Sequence, residues 1–403
     1  MFRTPFACIV AALVACGAPA AAQTPAPAVD VGDLWHAVRH KSDERPDGRD
    51  SSPRERFLVA APTIGSRPST GLTGGVNGQM AFFSGDAATT HISSISGGVR
   101  LSQKGQVLSG VRYSVFTTDD RWFLQGDNRL SWTSLTTYAL GALPIATGAE
   151  NVKYDALRLY ETAYRQIKPH LFVGAGINVN AHENIRPGDG QLEPWDESAY
   201  LAYNEAHGLP ASGQASSGTS VGLVYDTRDN AINAARGSLA SATYRTFFRA
   251  MGGDSTWQEL SFDARTYRAL TPDARRKLAF WLSGDFVTGG VAPYFDLPGT
   301  ANDGRSARGY SDGRYRGEHL LYGEIEYRST LTRNGLLGYV AFLNATTVSS
   351  LDNHEHLFDA WAPAGGGGLR VLLNKRSRTN FCADYAAGKA GSRGFYLAIQ
   401  EAF

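Results

Sequence analysis

The chain predicts an all-β fold: a transmembrane antiparallel β-barrel of about sixteen strands with one outer loop folded into its lumen. Three observations carry this. First, segment after segment beyond Phe57 alternates apolar and polar residues with a period of two, and past the leader no continuous apolar run reaches the roughly 18 residues a spanning helix needs. Second, aromatics make up 11% and glycine 45 of 403 residues, with only 3 Met and 3 Cys. A wall that alternates lipid-facing and lumen-facing residues keeps mean hydropathy low and places aromatics at the interfaces. Third, the run Ala307-Arg308-Gly309-Tyr310 stands in a Gly-rich loop before the strand Tyr322-Gly323-Glu324-Ile325-Glu326-Tyr327-Arg328, and the chain stops on Phe403.

The elements follow in order. Residues 1–22 read as a secretory signal peptide: Arg3, an apolar run from Phe6 to Ala15, then Ala20-Ala21-Ala22 before Gln23. Leu13-Val14-Ala15-Cys16 also has the look of a lipidation box, so cleavage near Ala22 and lipidation at Cys16 stand as alternatives. Removing Arg3 leaves 38 basic residues against 38 acidic, so no net charge draws the chain to nucleic acid. Cys8 and Cys16 fall in or beside the leader, and Cys382 offers neither a disulfide framework nor a metal site. Residues 23–55, rich in Pro, Ala and charge, read as a flexible periplasmic tail. Within it Asp33 to His40 has the pattern of two helical turns with Asp33 as N-cap, open to two readings, a frayed linker or a small plug or docking helix.

Residues 56–403 read as the barrel. Val111, Tyr113 and Val115 alternate with Arg112 and Ser114; Leu171, Val173, Ala175, Ile177 and Val179 alternate with small and amide residues. The strands are expected at 71–83, 91–101, 106–116, 121–132, 134–141, 153–167, 171–181, 219–228, 238–248, 257–270, 278–287, 321–331, 338–348, 366–373, 380–387 and 395–403. Short connections (102–105, 168–169, 374–379) read as periplasmic turns, and long ones (182–218, 288–319, 349–365) as outer loops. An even count puts both ends in the periplasm and closes the first strand, 71–83, on the last, 395–403, leaving no free edge. Asp196 to His207 has the pattern of a surface helix stopped at Gly208.

These motifs resemble the BamA/TamA family of outer-membrane assembly factors, the bacterial surface-antigen barrels, from about Phe57 to Phe403 and most sharply after Ser220. The family's V/I-R-G-F/Y tetrad of the sixth outer loop is matched by Ala307-Arg308-Gly309-Tyr310, followed by Gly313-Arg314-Tyr315-Arg316-Gly317. Its Glu before an aromatic is matched by Glu326-Tyr327, and its F-x-D by Phe342-Leu343-Asn344. Its D-x-R-D turn with a downstream Gly is matched by Asp226-Thr227-Arg228-Asp229 and Gly237. The resemblance implies a lumen latch of Arg308, Gly309, Tyr310, Glu324, Glu326 and Asn344. It also implies a periplasmic turn motif of Asp226, Arg228, Asp229 and Gly237. Phe395, Leu397, Ile399 and Phe403 fit the terminal pattern read during barrel insertion.

The latch has a physical basis. An arginine inside a barrel must be paired, since a lone buried charge costs about 3–5 kcal/mol, and its planar fork grips carboxylates. Arg308 on Glu326 would pin the loop, with Glu324 and Arg328 on the same strand face extending the network. Asn344 stands where the family has an acid, which predicts one carboxylate fewer and a looser latch; Ala231 and Ala234 stand where it often has Pro, and Glu401 falls where the terminal signal favours an apolar residue. Family members that handle clients carry POTRA domains before the barrel. Residues 23–55 are too short for one, so the expectation is a short form without them.

The resemblance implies a role in outer-membrane biogenesis, by protein insertion or translocation; the alternative is a structural or passive channel barrel without client handling. The expected partners are outer-membrane lipid and lipopolysaccharide, a periplasmic partner protein or nascent outer-membrane proteins, and no nucleic acid. No enzyme is expected and no catalytic residues, metal or cofactor: no Ser–His spacing stands out, and His354 and His356 read as solvated loop. Arg305, Arg308, Arg314 and Arg316 admit an anion-site reading, but loop and lumen pairing fits them better.

Overall fold

A computed structural model describes residues 28–38, 56–67, 71–142, 149–190 and 194–403. The expected signal peptide and most of the expected tail lie outside these residues. Sixteen antiparallel strands form one closed barrel: β1 (Arg56–Arg67), β2 (Gly71–Phe82), β3 (Ser93–Ser102), β4 (Val107–Phe116), β5 (Trp122–Thr137), β6 (Glu150–Lys168), β7 (Leu171–Pro187), β8 (Gln214–Asp226), β9 (Gly237–Phe247), β10 (Trp257–Ala269), β11 (Arg276–Gly290), β12 (His319–Thr330), β13 (Leu337–Ser349), β14 (Ala362–Asn374), β15 (Thr379–Gly388) and β16 (Arg393–Ile399). No helix among the described residues is long and apolar enough to cross a membrane.

Every strand pairs with its chain neighbours, so the architecture is hairpins closed on themselves. Period-2 patterning drives it: on β8 every residue of Gln214, Ser216, Gly218, Ser220, Gly222, Val224 and Asp226 is buried, whereas Val221 and Leu223 are at least half exposed on the outer wall. An apolar exterior over a polar interior is stable only in lipid.

Two departures from the expected strands cancel in the count. The first strand is Arg56–Arg67, which Pro62 and Gly65 disguise, since a proline argues against a central strand. The expected break at Thr133 does not occur, and β5 runs unbroken for 16 residues. The seam therefore joins β1, not 71–83, to β16, and the short connection 103–106 is an outer loop rather than a periplasmic turn. Among the described residues, the ladder at that seam has a single registered pair, Ser66 with Phe395. On the other edge of β1, by contrast, all twelve residues pair with β2.

Two helices decorate the ends. α1 (Val31–Val38) is capped by Asp30, not Asp33: the Asp30 carboxylate accepts from the Asp33 N–H at 3.0 Å, and Asp33 accepts from the Asp30 N–H at 2.9 Å. Asp30 also accepts from the Lys375 N–H at 2.9 Å, and the Val29 N–H donates to the Asn334 carbonyl at 3.0 Å, which docks the helix start on the β12–β13 and β14–β15 turns. α2 (Ala199–His207) follows a single 3-10 turn at Trp195–Glu197, is capped by Ser198 and ends on Gly208, close to expectation. It is not a loose surface helix, because Tyr200 and Tyr203 are buried against Tyr294 and Phe295 of the loop between β11 and β12.

Candidate functional site: the latched sixth loop

The loop of residues 291–318, sixth on the outer side, turns into the lumen and is fastened to opposite walls. Its 3-10 turn Tyr294–Asp296 is gripped from within: buried Arg316 donates to the carbonyls of Tyr294, Phe295 and Leu297 at 3.2, 3.1 and 3.0 Å. The Asp296 carboxylate accepts from Asn180 Nδ2 of β7 at 2.8 Å and from Ser216 Oγ of β8 at 2.5 Å. On β5, Arg129 Nη1 donates to the Asn302 carbonyl at 2.7 Å, and on β4 Arg112 donates to the Asp303 carbonyl. Arg314 stacks on the Tyr138 ring at 3.7 Å.

At the loop tip Arg308 is 4% exposed. Its guanidinium bonds Glu324 and Glu326 of β12 and donates through Nη1 to Asp384 Oδ2 of β15 at 2.7 Å. Its Cζ lies 3.6 Å from the centre of the Phe342 ring of β13. Asn344 does not leave the latch short of an acid. Its Nδ2 donates to the Arg308 carbonyl at 3.1 Å, while Asp384 supplies the missing carboxylate from two strands further round. Space for Asp384 comes from the Gly365–Gly368 run of β14, since a side chain on Gly368 would collide with that carboxylate.

Gly309 has φ +110°, a conformation that favours glycine, and a Cβ there would stand 2.9 Å from Ala364 Cβ. Its N–H donates to Tyr396 Oη of β16 at 2.9 Å, and its carbonyl accepts from Ser392 Oγ at 2.7 Å. Buried Tyr310 donates its hydroxyl to the Pro363 carbonyl at 2.6 Å and accepts from the Lys389 N–H at 2.9 Å. The tip thus binds β14, β15 and β16, the strands leading up to the seam.

The network continues to the chain end. Asp384 Oδ1 accepts from Arg370 Nη1 of β14 at 2.5 Å, and Arg370 Nε donates to Glu401 Oε2 at 2.8 Å. Arg328 Nε donates to Glu326 Oε2 at 2.6 Å and Nη2 to the Phe403 carbonyl at 2.9 Å. Gln400, at φ +89°, turns the last residues off the wall and inward. Phe403 is 5% exposed, its ring 5.1 Å from Trp281 and 6.2 Å from Tyr267. Of the expected terminal pattern, Phe395 faces outward, Leu397 and Ile399 are half-buried on the final strand, and Phe403 lies inside. Sequence reasoning missed Asp384 and Arg370; the signal for Asp384 was the four-glycine run opposite it.

The turn motif forms a second fastening at the periplasmic end. Asp226 takes Arg228 bidentately, with Nε at 2.9 Å and Nη2 at 2.6 Å. Asp229 accepts the Ala235 N–H at 2.8 Å and Arg378 Nη1 at 2.6 Å. Burial alone would raise the Asp229 pKa, but the Arg378 guanidinium and these N–H donors hold it below the usual carboxylate range. Gly237 has φ +96° beside the Thr227 carbonyl. Ile232, Ala234 and Ala235 are buried, so this turn folds into the barrel mouth even with Ala231 and Ala234 where Pro is frequent in the family. His354 and His356 are exposed on the β13–β14 loop, and among the described residues no group of three or more His, Cys, Asp or Glu is placed to hold a metal ion.

The sequence profile of the Omp85 superfamily domain matches residues 111–374. A search of curated protein sequences returns no match. Among solved structures, BamA from Haemophilus ducreyi lacking POTRA domains 1–3 shares 14% identity over 86% of this chain and 69% of that chain, with a TM-score of 0.53. CdiB from Acinetobacter baumannii shares 13% over 86% of this chain and 60% of that chain, at 0.53. CdiB from Escherichia coli shares 12% over 88% and 64%, at 0.54. At such identities the likeness shows the fold, and the chain spans less than two thirds of the length of either CdiB. With the profile covering most of the barrel, the chain belongs to the Omp85 superfamily, as an outer-membrane β-barrel.

Proposed function

We propose that this barrel acts in outer-membrane biogenesis, passing or inserting β-rich client chains at the seam between β1 and β16. One observation carries the reading: among the described residues the seam has a single registered pair, Ser66 with Phe395, while the latched loop tip grips β16 through Tyr396 and Ser392 beside it. A seam so short leaves backbone donors and acceptors of both edges open to a third strand, and β-strand addition needs nothing more from its host. The inward turn at Gln400, whose N–H still bonds the Asn380 carbonyl at 2.9 Å, takes the last three residues off the wall.

The passive-channel reading is less well supported. The sixth loop crosses the lumen and the β8–β9 turn folds into the periplasmic mouth, so the space inside is divided among cavities of 330 and 390 Å³ beside Arg305 and one of 530 Å³ beside Asp229. The deciding experiment is a seam lock. A Ser66→Cys/Phe395→Cys pair, opposite in register, is expected to form a disulfide and, when oxidised, to lower the levels of other outer-membrane proteins in cells that depend on this chain. Unchanged levels in the oxidised cells, with steady conductance of the protein in planar bilayers, would favour the channel instead.

A further inference from the structure

On the lipid-facing wall away from the latch stands a polar cluster that neither the latch nor the seam uses. Along β4 to β7 the faces are unambiguous. Arg112 of β4 and Arg129 of β5 reach the sixth loop inside, as does Asn180 of β7, which also takes Arg158 of β6. Their chain neighbours Tyr113, Asn128 and Val179 therefore face out, in step with exposed Val111, Leu124, Leu130, Leu159 and Ile177. Glu161 belongs to that outer row: it pairs with Gly126 on one side and Ile177 on the other.

Its depth is that of lipid tails. Trp122 and Trp132 mark two aromatic levels on the outside of β5, both exposed. Ten residues at about 3.3 Å each, on a strand tilted about 40°, separate them by about 25 Å, the height of the apolar band of such barrels. Gly126 lies four residues above Trp122, which sets Glu161 about 10 Å inside the band. Its outward neighbours along β6 are Leu159 and Ala163. An ionisable side chain at such a depth is costly against lipid and is by default a functional position.

The protein has equipped this carboxylate rather than merely tolerated it. Asn128 Nδ2 donates to Glu161 Oε1 at 2.7 Å. The Tyr113 ring lies across Gly126, where any side chain would collide with it, and its hydroxyl bonds Glu161 Oε2. A carboxylate has about four lone-pair sites, and both donors are neutral, so acceptor capacity and any negative charge remain. Beside it Leu124, Ala163, Ala175, Gly176 and Ile177 line a shallow groove of 390 Å³ on the outer wall. Small residues of this kind let a neighbouring backbone approach closely in a membrane.

We propose that Glu161, held by Tyr113 and Asn128, is a lateral docking site for a different membrane-embedded protein, whose spanning segment presents a basic side chain at the matching depth. Charge complementarity selects a cation, and an isologous second copy offers none. Two copies in one membrane are related by an axis along its normal, so an isologous contact here sets Glu161 against Glu161 and against Tyr113, Asn128 and Ile177, none of them cationic. Glu161 is also five strands from β1, out of reach of a segment paired at the seam, so its occupant is a standing partner rather than a client. The proposal does not depend on what passes the seam.

The test uses the full chain in lipid nanodiscs and a fluorescent Leu/Ala transmembrane peptide with one Lys at the matching depth, compared with the same peptide carrying Leu there. The Lys peptide is expected to bind about tenfold tighter. Glu161→Gln, shown folded by its heat-modified gel shift, is expected to abolish that preference. Tyr113→Phe keeps the carboxylate but removes a donor, so it is expected to retain or strengthen the preference, and it stands in should Glu161→Gln fail to fold. Equal binding of the two peptides, or a preference unchanged in Glu161→Gln, overturns the proposal. So does efficient cross-linking of two copies through Ile177→Cys without peptide, which would assign the face to self-association.

Discussion

Asp384 is the member of the latch whose removal most directly measures the arrangement. It accepts Arg308 Nη1 at 2.7 Å and Arg370 Nη1 at 2.5 Å, and is 5% exposed. Hydrogen bonds to charged groups contribute about 1.5–3 kcal/mol each. Losing both costs about 3–6 kcal/mol, which overlaps the range of about 3–5 kcal/mol for breaking a buried ion pair by removing one partner. Arg308 retains Glu324 and Glu326, and Arg370 retains Glu401, so the lower part of that range is expected for Asp384→Ala. Asp384→Asn keeps one carbonyl acceptor and should lose about half as much. The assay is urea unfolding in lipid vesicles, followed by the gel shift of the folded barrel, with Arg308→Ala and the double variant completing a cycle. A coupling energy above about 1 kcal/mol is expected, since the residues touch. Additive effects, or an Asp384→Ala barrel as stable as the parent, would refute the pairing.

Two further predictions concern the periplasmic end. His91, in the turn before β3, is placed 2.5 Å from Asp120 Oδ2; burial lowers its pKa, but the Asp120 carboxylate and, further off, Asp226 outweigh this and raise it. The unfolded value is about 6.5, so this contribution is fully present below that pH and is lost as pH rises through the higher folded value. Amide exchange of residues 88–93, corrected for intrinsic rates, should therefore quicken with rising pH, and Asp120→Asn should remove the dependence. Phe403→Ala should destabilise the barrel by about 3–5 kcal/mol, as for a core phenylalanine, because its ring packs on Trp281 and Tyr267; a lipid-facing Phe395→Ala should cost clearly less in the same unfolding assay.

What could be read in advance follows from how local each cause is. Period-2 patterning depends on residues two apart, so most strands could be placed within a few residues. Where a strand carries Pro62 and Gly65, or Thr133 and Ser134 beside Trp132, local signals mislead because ladder partners on both sides decide the outcome. Arg308, Glu324 and Glu326 were legible because a fork of donors in a lumen requires acids, and the next strand offered them on one face. Asp384 was not, since nothing local separates an acid that meets a loop from one that meets water. Its clue lay across the ladder, in Gly368. Glu401 was legible only as an oddity. Continued along the wall, the strand would aim it at lipid, and the turn at Gln400 delivers it to Arg370 instead. The same reasoning makes Glu161 informative, because there no such turn intervenes.

The most direct measurement of the central claim is an experimental density map of the full chain in a lipid nanodisc, read at Arg308. Its guanidinium is expected inside the barrel, between Glu324 and Glu326 of β12 and Asp384 of β15, with the sixth loop crossing the lumen. Density placing residue 308 in outside solvent, with Glu326 and Asp384 paired elsewhere, would contradict it.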